Sequence, residues 1–133
     1  MVEEIRSKKG SLIAIILRRN INPKETSFYT PSVFSQQLGL LKHKKGNIIK
    51  AHMHIPRARK VEITQEVLHI KRGRADIFLY DEDRKYMTKR TLSAGDTILL
   101  AAGGHGLEIL QDSLILEIKQ GPYTDKTEKE YFE

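Results

Sequence analysis

Two histidines stand one residue apart in the run KAHMH, His52 and His54, and their spacing suits metal binding. In a β-strand, residues i and i+2 project from the same face, so two imidazoles one pleat apart can meet a single cation. A helix would need i, i+4 spacing instead. The pair by itself is equally compatible with two surface histidines that have no task. A second polar pair lies near the end of the chain, where Glu117 and Lys119 share one face and Leu114, Leu116 and Ile118 share the other. If the charged face lines a cavity, Lys119 meets an anionic substrate and Glu117 serves as a base or as the partner of the lysine. If it faces solvent, the pair does nothing. Gln36 alternates with Phe34 and Leu38. It reads as an inward polar group that needs a partner, or as an edge-of-core glutamine bonded to backbone. Arg57, Arg59 and Lys60 follow the histidines on a Pro-containing loop. They suit reading a phosphate or carboxylate, or are simply solvated.

The elements that must carry these side chains read as strands. Long amphipathic helical patterns are missing, and so are repeats, linkers and low-complexity stretches. Short β-rich runs alternate with turn chemistry. Strands are expected over 11–18, 33–43, 48–55, 61–71, 75–80, 85–92, 97–101, 107–111 and 113–120. Turns fall at KKGN (44–47), Gly73, 81–83 and Ala94-Gly95-Asp96. Nine or ten strands at this spacing suit a sandwich or a small barrel. The tail after Gly121-Pro122 is polar; Asp125 with Glu128 suits a short helical cap, and Tyr131 and Phe132 are available to pack.

At 133 residues, one domain spanning 1–133 is expected. With no Cys, the chain has no disulfide framework, thiolate zinc site or cysteine nucleophile. The apolar run 12–17 is too short for a membrane span, and no signal-peptide cleavage site is evident, so a soluble, cytoplasmic protein is expected. The net charge of +6 is spread over scattered turns, with neither aromatic platforms nor a helix-turn-helix or zinc-finger pattern. Nucleic acid is therefore the least favoured partner.

The wider spacing carries a resemblance. Gly46 precedes His52 by six residues in GNIIKAHMH; Glu66 and Gly73 frame EVLHIKRG; and GDTILLAAGGHG runs from Gly95-Asp96 to His105. Over about residues 34–120 this pattern resembles the two motifs of the cupin superfamily. More narrowly, the segment around GGHGLEILQDSLILEIKQGPYTDKT resembles small single-domain cupins described as mannose-6-phosphate-isomerase-like. The resemblance implies an all-β cupin jelly-roll barrel with a short polar tail. It also implies one divalent metal held by His52, His54, Glu66 and His105. The sequence departs from the pattern in two places. Eleven residues separate His54 from Glu66 where three or four are usual, which leaves Glu62 as a rival carboxylate. The second motif is one residue short and lacks its proline. Glu66 shares parity with Leu68 and Ile70, as does Glu62; His105 shares parity with Leu107 and Ile109. His43 and His69 read as bystanders.

A sulfur-free set of imidazoles and one carboxylate suits Zn, Mn, Fe, Co or Ni. Taken with the resemblance, this implies action on a small polar, anionic, carbohydrate-like molecule by isomerisation or epimerisation. Glu117 and Lys119 are the candidate catalytic groups, and Gln36, Arg57 and Arg59 the candidate substrate contacts. A non-catalytic sugar or carboxylate binding module and an Fe-dependent dioxygenase are the alternatives. A homodimer is expected, with 11–18 as the exchanged strand.

Overall fold

The computed structural model describes residues 1–123 and 128–132. Eight strands occur in chain order: β1 (Val2–Arg6), β2 (Leu12–Leu17), β3 (Ser27–Phe28), β4 (Gly39–Leu40), β5 (Glu66–Tyr80), β6 (Tyr86–Ser93), β7 (Thr97–Leu100) and β8 (Gly104–Lys119). No helix is present among the described residues, and so none is long and apolar enough to cross a membrane. The fold is all-β, as expected. Its main sheet runs β1-β2-β7-β5-β6, with β8 paired to the other side of β5, and all pairings are antiparallel. This sheet curls into a half-barrel. β3 and β4 form a separate two-stranded ribbon.

Each strand follows from its residues. LIAIIL in β2 is a continuous apolar run rich in β-branched side chains, and all six residues are buried. Such a run suits a central strand covered on both faces. The two faces carry separate cores. Ala14, Ile16, Leu68, Ile70, Ile77, Leu79, Leu92 and Ile98 pack on the concave side. Ile15, Leu17, Val67 and Leu99 pack on the other side, covered by Tyr29, Phe34, Leu38 and Leu40 from the segment that holds the β3–β4 ribbon.

β5 and β8 are too long to stay straight, and they bend together. Register shifts interrupt their ladder between Ile70 and Ala75. Gly73 sits in that stretch with φ +92°, and a Cβ there would collide with the Ser113 hydroxyl and the Asp112 carbonyl. Glycine is the residue that tolerates both the positive φ and the close approach. The Ser113 hydroxyl accepts from Arg74 N–H at 3.2 Å and donates to the Gln111 carbonyl at 2.7 Å, which secures the bend. At the β6–β7 turn, the buried Asp96 carboxylate accepts from Arg19 N–H at 2.8 Å and Ser93 N–H at 2.9 Å, and Arg18 approaches it at 3.4 Å. The Gly95-Asp96 pair is thus a structural staple that launches β7, as its place in the sequence suggested.

Several expected elements differ. The 113–120 and 107–111 runs are one continuous strand, because the bend is absorbed by shifts in pairing and the chain never leaves the sheet. β5 starts at Glu66, not at 61, and passes through Gly73 without turning back. Of 33–43 only Gly39–Leu40 is a strand, since Phe34 and Leu38 cap the convex core from an irregular segment. The 48–55 strand does not form: residues 41–64 have no sheet neighbour and are exposed throughout. β1 went unread, its apolar content being too thin to signal a strand. Within the 11–18 run, β2 is paired on both edges inside its own chain. In the tail, Asp125 lies outside the described residues. Phe132 packs edge-on against Tyr80 at 5.0 Å, while Tyr131 stays exposed.

Candidate functional site

The curl of β5 builds the site. Glu66 opens that strand, whereas His105 is paired with Leu79 near its far end. Along a straight strand the thirteen intervening steps would separate these positions by about 40 Å. Here His105 Nε2 lies 3.8 Å from Glu66 Oε1. Bending has folded the two ends of the strand toward each other, across the mouth of the half-barrel. Glu117 joins them, because it pairs with Leu68 and therefore points to the same concave side as Glu66. Lys119, opposite Glu66, shares that side. The charged face of β8 thus lies toward Glu66, and the apolar face with Leu114, Leu116 and Ile118 lies on the other side of the sheet, beside Val67 and His69.

The charges are strongly interdependent. Burial, the hydrogen bond with Glu117 and the Glu117 charge push the Glu66 carboxyl up to about 7. The same hydrogen bond holds Glu117 below the usual carboxylate range. Near neutrality, then, Glu66 carries a proton about half the time and donates it toward an ionised Glu117. Burial, with a contribution from Lys129, lowers the His105 imidazole below its ordinary value. It is therefore neutral at pH 7, the form that can accept a proton or bind a metal. Lys119 and Lys129 both act on Glu66 in the opposite sense to Glu117.

A cavity of about 450 Å³ opens beside these groups, lined by Glu66, His105, Leu100, Ala102, Arg84 and Phe132 among others. Gly103 and Gly104 keep its floor thin, since a Cβ on Gly104 would meet the Phe132 ring. The tail closes one side: Arg84 pairs with Glu130 at 2.6 Å and lies over the Phe132 ring at 5.6 Å.

Of the residues singled out in the sequence, Glu66, His105, Glu117 and Lys119 are brought together. His52 and His54 are not with them. They sit in the exposed 41–64 segment, with their rings 5.3 Å apart, and His52 Nδ1 is 2.7 Å from the Lys50 carbonyl. Among the described residues no group of three or more His, Asp or Glu is gathered for a metal. Glu62 is exposed and paired with Lys60 at 2.9 Å. Arg57 and Arg59 are exposed on the same segment. Gln36 lies between Phe34 and Leu38, whose side chains cap the convex core, away from Glu66. His69 and His43 have local partners, Thr97 Oγ1 and Asn47 Nδ2, each at 2.8 Å. Sequence reasoning missed Lys129 and Arg84, and offered Phe132 only as a residue available to pack. The only hint was the aromatic content of the polar tail, because tail-to-site contacts leave no periodic trace. It also missed Gln65, buried at the root of β5, where its side chain donates to the Ala101 carbonyl at 3.3 Å.

The chain was compared with protein-family models, with curated proteins and with solved structures, and it matches none of them.

Proposed function

We propose that the chain is a metal-dependent protein of the cupin type, acting on a small polar anionic, carbohydrate-like molecule by isomerisation or epimerisation. One observation carries the reading: Glu66 and His105, from two different strands, meet at one cavity on the concave side of the sheet, with Glu117 hydrogen-bonded to Glu66 behind them. Glu66 and the neutral His105 imidazole, 3.8 Å apart, are two members of a sulfur-free oxygen and nitrogen donor set. Such a set fits a divalent first-row ion. Glu66 and His105 would hold it, with His52 and His54 completing the set once their segment reaches the same mouth. Bound there, the ion would supply Lewis acidity toward a carbonyl or hydroxyl of the substrate.

The remaining work falls to protein side chains. Lys119 and Lys129 provide positive charge for an anionic group. Glu117, held ionised, is the group suited to accept a proton from carbon or oxygen. Phe132 and the Arg84–Glu130 pair shield one side of the cavity from water. Zinc and manganese titration by calorimetry tests the reading. Wild type should take up one ion per chain, and Glu66→Gln and His105→Ala should each weaken uptake at least tenfold. Wild-type protein that binds neither ion, or variants that bind as tightly as wild type, would refute it.

A further inference from the structure

We propose that residues 48–55 of one chain add as a strand to the outer edge of β8 in a second copy, and that the second copy returns the same strand. Two unpartnered features match each other. β8 is sixteen residues long and, among the described residues, pairs only with β5, so its other edge offers a row of free N–H and C=O groups. A long, unprotected edge of this kind is a template for another strand. Residues 41–64 form an exposed arm with no sheet partner. Its hydrogen bonds run to its root, where Lys42 holds Asn22, Pro23 and Thr26, and within itself.

The two surfaces agree face by face. Extended, 48–55 places Ile49, Ala51, Met53 and Ile55 on one side and Ile48, Lys50, His52 and His54 on the other. β8 has the same division, with Leu114, Leu116 and Ile118 on the convex side and Glu117 and Lys119 on the concave side. Laid along the edge, the arm continues both faces: apolar beside apolar, and histidines beside the carboxylates. The opposite facing would bury Lys50 among leucines.

A second copy is the occupant, for two reasons. The arm is rooted on the β3–β4 ribbon, which covers the convex face of its own sheet, and it bonds to nothing on its own β8. Twelve residues of extended chain beyond Leu40 reach about 40 Å, enough to cross to a neighbour. In addition, Met53 is 92%, Ile55 87%, Leu116 48% and Ile118 52% exposed. An arm folded back on its own β8 would join these residues into a larger exposed apolar strip, which water disfavours. Two copies related by a two-fold axis, each giving and receiving an arm, place both strips at one interface. The exchange itself needs no metal. That His52 and His54 would then face Glu66 and His105 of the other copy as ligands rests on the metal reading.

The chain has no native cysteine, so cross-linking can be directed. Met53→Cys and Leu116→Cys are made on separate chains of unequal mass, co-expressed, and treated with a short bis-maleimide. The expected product is a covalent heterodimer of one chain of each kind, at least tenfold above the homodimers. The double variant on one chain should likewise link between molecules. An internal link in the double variant, or a monomeric mass for wild type by light scattering, overturns the exchange. A cross-linked dimer that binds neither zinc nor manganese keeps the exchange and removes the metal reading. Uptake of either ion by a monomer does the reverse.

Discussion

The half-barrel and the 41–64 arm are both β-like in sequence, yet only one of them is structured. β2 reads LIAIIL and is buried on every residue; the arm reads IIKAHMHI and is exposed on every residue. Local propensity does not separate them, since isoleucines and alternation occur in both. What separates them is a neighbour. β2 lies between β1 and β7, each donating and accepting backbone hydrogen bonds, and both its faces are covered. The arm has no adjacent strand, and an isolated strand has nothing to offset the entropy of extension. Strand propensity measures fit to a half-buried pleated surface, and the arm has no such surface within its own chain.

Mutations should therefore act very differently in the two regions, and urea unfolding at micromolar concentration can measure the contrast. The largest effect is expected for Asp96→Ala, which removes a buried carboxylate, leaves the part-buried Arg19 and Ser93 N–H groups without their acceptor and should cost about 3 kcal/mol. Gly73→Ala forces a side chain into the bend against Ser113 at a positive φ, and about 2 kcal/mol is expected. If either variant unfolds at the wild-type midpoint, the half-barrel is not held as described.

Acidity gives a smaller test at the boundary between the regions. The Glu66 pKa is higher folded than unfolded, so between pH 4.5 and about 7 the native state binds more protons than the unfolded one at this group. Stability contributed by Glu66 is thus present below pH 4.5 and is lost as pH rises through about 7. Metal-free Glu66→Gln should show a flatter decline over that window, by about 1 kcal/mol after allowing for solvent screening. Unchanged slopes would mean that Glu117 does not crowd it. The smallest effect belongs to the arm. Met53→Ser should leave the half-barrel within about 0.5 kcal/mol of wild type in dilute solution. The same variant should lower the fraction of dimer seen by sedimentation at higher concentration. A large loss of stability in dilute solution would show that the arm packs on its own chain.

The legibility of the sequence follows the same divide. Turn and strand chemistry at Gly95-Asp96, the 85–92 hairpin strand and the alternation of β8 could all be read, because each is a local pattern fixed by burial on one side. The face shared by His105, Leu107 and Ile109, and that shared by Glu117 and Lys119, follow from strand parity alone. The meeting of Glu66 with His105 could not be derived from spacing, since it depends on how sharply β5 curls. Gly73 marked a turn in the sequence; in the fold it marks a bend within one strand, and only the pairing of Arg74 with Gln111 and Ile70 with Ile115 distinguishes the two. The 48–55 segment shows the converse limit. Its alternation is that of a strand, but alternation says nothing about whether a partner edge lies in the same molecule.

The long β5–β8 ladder has a consequence for how the chain reaches its native state. Glu66 must wait for Lys119, and the distal end of that ladder cannot form before most of the sequence between them is in place. Pairings between residues so far apart in the chain close slowly, because the entropy of the loop is lost before the contacts repay it. During that interval β5 has open edges and the arm is free to find them. Dilution during refolding should therefore raise the yield, since a crowded solution gives each nascent edge the wrong arm first.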